Sequence, residues 1–252
     1  MPDCATTLDH LLGGRVAIRQ PERGYRAGSD PVFLAAAVPA APGERVLDLG
    51  CGVGAAGLCL LARVPGLHVT GLELQAELAA LARGNAAANG RGDSLTVVEG
   101  SLSRPPEQIR GQGFDHVMTN PPWYDPGTIT PPPAGSKRIG HVERDLDLAG
   151  WLAAAVRLLR PKGRLAMIHR ADRLGDILAA LAGLKMGGVR VLPLWPATGR
   201  AAIRVVVLAR KGARTPLELG PGLVLHHDGG CYTDEAETVL RHLGTWGIAR
   251  TA

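Results

Sequence analysis

The residues with the most chemistry to offer are four in a row, Asn120, Pro121, Pro122 and Trp123, inside the stretch FDHVMTNPPWYDPG. A residue that precedes proline is pushed toward extended backbone, which applies to both Asn120 and Pro121. Each proline also fixes its own φ at about −65° and removes an N–H donor. The tetrapeptide is therefore stiff, and no neighbouring N–H within it competes for its carbonyls. Such a segment suits an exocyclic amine on a flat ring, whose nitrogen is a poor nucleophile because its lone pair is delocalised. The Asn120 side-chain oxygen and the Pro121 carbonyl can each accept one amine hydrogen, aiming the nitrogen and favouring its pyramidal, attacking geometry. Trp123 offers a face for the ring, and stacking a base on an aromatic is worth roughly 1–3 kcal/mol. An ordinary proline-rich strand exit would use the same residues with no ligand at all.

A second stretch, VLDLGCGVGAAG, places Asp48, Gly50, Gly52 and Gly54 after a short apolar run. Glycine is needed where a strand turns tightly into a helix through positive φ, and where a ligand approaches the backbone. Two ligand classes compete for it. Residues 52–57 satisfy G-x-G-x-x-G, and Glu73 follows about 20 residues on, as in dinucleotide sites. Asp48 argues against a diphosphate, which a carboxylate in the turn repels, and for a cationic or hydroxyl-bearing ligand. Glu73, closing the next apolar run, can accept hydrogen bonds from both hydroxyls of a ribose. Both carboxylates could instead simply cap helices.

These groups must be brought to one edge of a common frame. RVLDLG (45–50), HVTGLEL (68–74), LTVVEG (95–100), FDHVMTN (114–120) and GRLAMIH (163–169) read as buried strands, spaced widely enough for a crossover helix each time. Residues 75–90 are apolar at helical spacing and end on Asn89-Gly90, a stop signal. Residues 147–163 repeat the pattern, with Pro161-Lys162-Gly163 as terminator. Alternation of this kind predicts a parallel sheet covered on both faces, with ligands at the carboxyl edge. Runs 189–194 and 203–209 are joined by a loop too short for anything but antiparallel pairing. The expected fold is α/β: a mostly parallel seven-stranded sheet with a reversed last strand and helices on both faces. A single domain is expected, with an outer N-terminal segment (1–40), a core (41–215) and a C-terminal extension (216–252). The proline-rich TITPPPAGSKR reads as a mobile loop.

With 252 residues, 46% of them hydrophobic, the chain can bury one large core. A net charge of +5, carried almost wholly by arginine, agrees with an acidic partner such as nucleic acid without demanding one. Lys137 and Arg138 follow the tetrapeptide, while Arg15, Arg19, Arg23 and Arg26 precede the first apolar helix; both groups suit phosphates or a solvated surface. Cys4, Cys51, Cys59 and Cys231 are scattered, so no disulfide framework or zinc site is indicated, and adjacent His226 and His227 are poorly placed to share an ion with Cys231. No metal is expected. The start of the chain lacks the character of a signal peptide, and VFLAAAVPAAPG is too short to span a bilayer, so a soluble, cytoplasmic protein without a membrane partner is expected.

The D-x-G-x-G-x-G of residues 48–54 resembles the first motif of Rossmann-like, class I S-adenosylmethionine-dependent methyltransferases. The N-P-P-W of 120–123 resembles the [DN]-P-P-[FYW] motif of amino-methyltransferases, which act on base amines or glutamine amides. The opening TLDHLLGGRVAIRQPERGYRAGSDPVFLAAAVP is similar to that of the bacterial family that methylates the 6-amino group of an adenine in the anticodon loop of valine tRNA. Gly14, Arg15, Gln20, Arg26, Gly28, Ser29 and Asp30 carry that likeness, which continues through LRPKGRLAMIHRADRLGDIL, GRAAIRVVVLARKG and LHHDGGCYTDEAETVLR. The resemblance implies S-adenosylmethionine as cofactor and an RNA substrate, tRNA above all. It sets Gly28–Asp30 beside the methionine part of the cofactor, with Asp48, Gly50, Gly52, Glu73 and Asn120 also around it. Ser101 stands where many relatives carry an acid for the cofactor's adenine, and Trp123 where the family usually has Phe or Tyr. Asn120–Trp123 would hold the substrate adenine, and Arg26, Lys137 and Arg138 would face RNA. The rivals are a protein-glutamine methyltransferase, an rRNA or DNA amino-methyltransferase, a non-catalytic scaffold and a nicotinamide enzyme. For the first, the segment before the core is too short to form the separate helical domain of that family.

Overall fold

The computed structural model describes residues 5–24, 26–122 and 146–247. Trp123, Lys137, Arg138 and the loop expected around them lie outside these residues. The chain opens with an antiparallel hairpin, β1 (Thr6–Leu11) and β2 (Val16–Pro21). Helix α1 (Asp30–Ala37) follows, apolar all round and buried from Pro31 onward. The core then alternates: β3 (Arg45–Leu49), α2 (Ala55–Arg63), β4 (His68–Glu73), α3 (Ala76–Ala88), β5 (Leu95–Glu99) and β6 (Phe114–Thr119). Next come α4 (Leu148–Leu158), β7 (Leu159–Arg170), α5 (Leu174–Gly183), β8 (Met186–Ala197) and β9 (Arg204–Lys211). Two short strands, β10 (Glu218–Leu219) and β11 (Leu223–His226), and helix α6 (Asp234–Arg241) complete it.

Across the sheet the order is β5-β4-β3-β6-β7-β9-β8, all parallel except β9, which is inserted between β7 and β8 and runs against both. The reversed last strand is thus where the short 195–203 link requires it. The seven expected strands are joined by two more. Both β10 and β11 run parallel to β8 along its outer edge, Glu218 opposite Arg190 and Leu223 opposite Leu194, covering backbone groups that would otherwise be unpaired. Helix α4 also stops earlier than its expected terminator: Leu159 already pairs with Phe114, and Pro161-Lys162-Gly163 instead bend the start of β7, with Lys162 at φ 66°.

Side chains alternate between two apolar layers. Val46, Met118, Ile168 and Val206 point to the layer of Phe33, Leu34, Leu58 and Leu61. Leu47, Leu49, Val117, Met167 and Val207 point to the layer of Trp151, Leu152 and Ile177. The alternation along β3 sends Asp48 toward α2. A two-stranded hairpin is marginal alone, and here α3 fastens it. Asn85 and Asn89, one helical turn apart, each pair with β2 as a strand would: Asn85 exchanges hydrogen bonds with Arg19 N and O (2.7 and 3.0 Å), and Asn89 with Ala17 N and O (3.0 and 2.7 Å). Among the described residues no helix is long and apolar enough to cross a membrane.

Candidate active site

The glycine turn is built as its spacing demands. Gly50, Gly52 and Gly54 all have positive φ (72°, 56° and 83°), and a Cβ on Gly50 would lie 3.2 Å from the Trp151 ring. Gly50 N and Cys51 N both donate to Leu72 O (2.9 and 3.0 Å), which ties the turn to the end of β4. Two carboxylates lie beneath it. Asp48, 3% exposed, accepts from Gly57 N in the first turn of α2 (3.1 Å). Glu73, 6% exposed, accepts from Gly52 N with Oε2 (2.8 Å) and from Gln75 N with Oε1 (2.9 Å). Burial pushes the Asp48 carboxyl up to about 7; the Gly57 N–H opposes this and the nearby Glu73 charge adds to it. Burial also raises Glu73, against the N–H groups of Gln75 and Gly52.

Holding the backbone does not exhaust the acceptor capacity of Glu73. An ionised carboxylate has about four lone-pair sites, and Glu73 uses one on each oxygen for backbone, keeping one on each for a diol. These acceptors therefore fit the ribose hydroxyls of S-adenosylmethionine, and a carboxylate at Asp48 suits its cationic portion better than a diphosphate. Asn85 reaches this turn too, its Nδ2 donating to Val53 O (3.0 Å) as well as to the hairpin.

Leu49 pairs directly with Thr119, so Gly50 and Asn120 leave adjacent parallel strands side by side. Thr119, fully buried, donates to Leu49 O (2.8 Å) and accepts from Trp151 Nε1 (3.0 Å). That chain locks the two strand ends and α4 together just before Asn120. Asn120 is half-buried, Pro121 buried and Pro122 exposed. Among the described residues no group hydrogen-bonds the Asn120 carboxamide. Ser101 reaches the same edge beyond β5, where Glu99 pairs with Glu73, and its hydroxyl is 2.9 Å from Ser103 Oγ.

The approach to α1 is held by a polar knot on the hairpin. Gln20, 2% exposed, accepts from Ala27 N (2.8 Å) and donates to Asp9 Oδ2 (2.9 Å). The same Asp9 oxygen accepts from Arg26 Nη2 (2.9 Å) and from Thr7 Oγ1 (2.8 Å). These contacts, that of Gln20 foremost, hold the Asp9 carboxyl below its ordinary value. Arg26 also donates to Pro21 O and Thr7 Oγ1, so its guanidinium is engaged inside the hairpin and acts first as a clamp on the next residues. Gly28, just beyond, is exposed, and a Cβ there would meet nothing within 4 Å. Asp30 accepts from Arg204 Nε at the start of β9 (3.1 Å). Beside this pair an open cavity of about 450 Å³ is walled by Arg170, Asp172, Ala202, Ile203 and Arg204; no residue of the glycine turn lines it.

Thr119, Trp151 and Asn85 are the contributors that the motifs do not announce. Thr119 at least adjoins the tetrapeptide, and Asn85 is a polar residue on the otherwise apolar buried face of its helix; Trp151 carries no local signal. His226, considered beside Cys231, directs Nδ1 at Pro196 O (3.0 Å) and stacks on Tyr232. Among the described residues no three His, Cys, Asp or Glu are grouped to hold a metal ion.

Comparison with known proteins agrees with this geometry. The family model described as methyltransferase small domain matches residues 27–178. The tRNA1(Val) (adenine(37)-N6)-methyltransferase of Aeromonas salmonicida is 30% identical over 210 residues, 83% of this chain and 86% of the relative. The protein of the same name from Porphyromonas gingivalis is 30% identical over 230 residues, 88% of this chain and 89% of the relative. Among solved structures, an O-methyltransferase from Agrobacterium tumefaciens, so described from prediction, is 27% identical with a TM-score of 0.68, covering 86% of this chain and 98% of that one. The Thermus thermophilus 16S rRNA N2 G1207 methyltransferase shares the fold at 19% identity and a TM-score of 0.57, covering 82% of this chain and 50% of that one. The chain therefore belongs to the methyltransferase small domain family, in the company of the bacterial tRNA1(Val) (adenine(37)-N6)-methyltransferases, and is an S-adenosylmethionine-dependent methyltransferase.

Proposed function

We propose that this protein methylates the 6-amino group of an adenine in tRNA. One observation carries the reading: the Leu49–Thr119 pairing sets the glycine turn and the Asn120-Pro121-Pro122 segment side by side, with no hydrogen bond to the Asn120 carboxamide among the described residues. When bound, S-adenosylmethionine supplies a methyl carbon made electrophilic by its sulfonium. Glu73 would take the ribose hydroxyls and Asp48 would face the cationic portion, with Gly28–Asp30 and Ser101 supplying further contacts to the cofactor. Asn120 Oδ1 and the Pro121 carbonyl accept the two hydrogens of the amine and turn its lone pair toward the donor. As the nitrogen bonds to the methyl carbon, the carbon–sulfur bond would break with its electron pair going to sulfur as a neutral thioether; the nitrogen then loses one of its protons to solvent, so no strong general base is needed. Most of the rate then comes from fixing two reactants in line. By their sequence positions alone, Trp123 would offer the base a stacking face and Lys137 and Arg138 would supply charge for RNA phosphates. The names of the relatives support tRNA as the acceptor.

Incubation with labelled S-adenosylmethionine and total tRNA, followed by nucleoside analysis, tests the proposal. Label in N6-methyladenosine is the expected result. Label only in protein glutamine, or on a hydroxyl oxygen as the description of the Agrobacterium protein has it, would overturn it.

A further inference from the structure

The edge of the sheet opposite the site carries a concentration of charge that methyl transfer does not use. Arg164 on β7 lies directly across from Arg210 on β9. Arg210 Nε donates to Lys162 O (3.3 Å), and Gly212 N donates to Lys185 O (3.1 Å). Lys162, Arg164, Lys185 and Arg210 therefore form one continuous surface, which Arg214 extends. All five are exposed, and the segments that build the surface, 156–164, 184–190 and 205–217, contain no Asp or Glu. Carboxylates on neighbouring elements are already engaged: Asp115 with Arg160, Glu44 with His116 and Glu218 with Arg190. Among the described residues none of the five is ion-paired.

Local preference opposes these residues. Like charges directly opposite on paired strands destabilise a sheet, yet Arg164 faces Arg210. Lys162 (φ 66°) and Lys185 (φ 55°) occupy left-handed backbone, where glycine or asparagine sits more easily. Each position favours charge over the conformationally easier choice. Lys211, by contrast, turns inward, its Nζ donating to Val156 O and Leu159 O (2.7 Å each), so it has a purely structural use.

We infer that this edge docks phosphates of a folded RNA whose modified base enters the site at the opposite edge. The inference rests on the tRNA reading above. Arg164 pairs with His116, four residues before Asn120, so the surface lies about 13 Å along the strands from the tetrapeptide at roughly 3.3 Å per residue. A lone nucleotide in the site does not reach it; an adjoining stem does.

The test compares the full-length enzyme with an Arg164→Gln/Lys185→Asn/Arg214→Gln variant, none of whose positions touches the glycine turn or the tetrapeptide. With tRNA transcript as substrate, the variant's KM rises at least tenfold at 0.1 M salt, and the slope of log affinity against log salt falls by about 2–3. Its kcat and its affinity for S-adenosylmethionine stay unchanged. Lys162→Gly, which relieves backbone strain, provides a second variant: thermal stability equal to or above the parent's, with weaker tRNA binding. Unaltered KM and salt slope in an enzyme that methylates tRNA overturn this inference alone. A parent enzyme inactive on every RNA overturns the tRNA reading and this inference with it. Loss of binding to phosphatidylserine vesicles with tRNA KM unmoved assigns the edge to a membrane surface instead, and also overturns it.

Discussion

Asp48 offers the sharpest quantitative consequence of the site's construction. Its carboxyl ionises near 3.8 in the unfolded chain and, because of burial, at about 7 in the fold. Between those values the native state holds a proton that the unfolded state has released. Stability therefore falls as pH rises from about 4, and the loss is complete above about 7. At about 1.4 kcal/mol per pH unit, ionised Asp48 costs the fold on the order of 4 kcal/mol at neutral pH and above. Asp48→Asn abolishes that cost while keeping an oxygen for the Gly57 N–H. At 2–4 °C per kcal/mol for a chain of this size, the variant should melt roughly 10 °C above the parent at pH 8 and alongside it at pH 4. Thermal melts of both proteins without cofactor, from pH 4 to 8, provide the assay. In the proposed mode of binding that same charge faces the cofactor's cationic part, so the variant should also bind S-adenosylmethionine at least tenfold more weakly. Melting curves that stay parallel across the whole range would refute the reasoning.

Glu73→Gln leaves one acceptor for two backbone N–H groups, those of Gly52 and Gln75. It should destabilise the fold by about 1–3 kcal/mol and raise the KM for S-adenosylmethionine at least tenfold, read by denaturant melts and steady-state kinetics. Thr119→Val strands the Trp151 indole N–H and removes a donor to Leu49 O; a similar loss of stability should accompany a fall in kcat, with cofactor affinity nearly kept. Gln20→Ala deprives Ala27 N–H of its acceptor and loosens Asp9, so KM for S-adenosylmethionine should rise while kcat at saturation changes little.

Strand–helix alternation was legible because parallel strands buried on both faces read as short apolar runs, and the reversal of β9 followed from a link too short for a crossover. The edge rule for parallel sheets was enough to bring Asp48, Glu73, Ser101 and Asn120 together. Strands β10 and β11 were hidden in LELGPGLVLHH, whose two- and four-residue pieces carry too little periodicity and exist only because β8 offers an open edge. The engagement of Arg26 was hidden for another reason: its partner Asp9 lies seventeen residues away and is brought near by hairpin register. Trp151 and Thr119 likewise meet only through packing of α4 on β6, an arrangement that no local pattern encodes.

In the proposed mechanism, Asn120 and Pro121 orient an amine presented beside the glycine turn. Single-turnover methyl transfer to tRNA by Asn120→Ala, set against its equilibrium affinity for S-adenosylmethionine, tests it most directly. The expected result is a rate reduced at least a hundredfold, about 2.7 kcal/mol of lost transition-state stabilisation, with cofactor affinity within threefold of the parent. A rate close to that of the parent, or a loss explained wholly by weaker cofactor binding, would contradict the account.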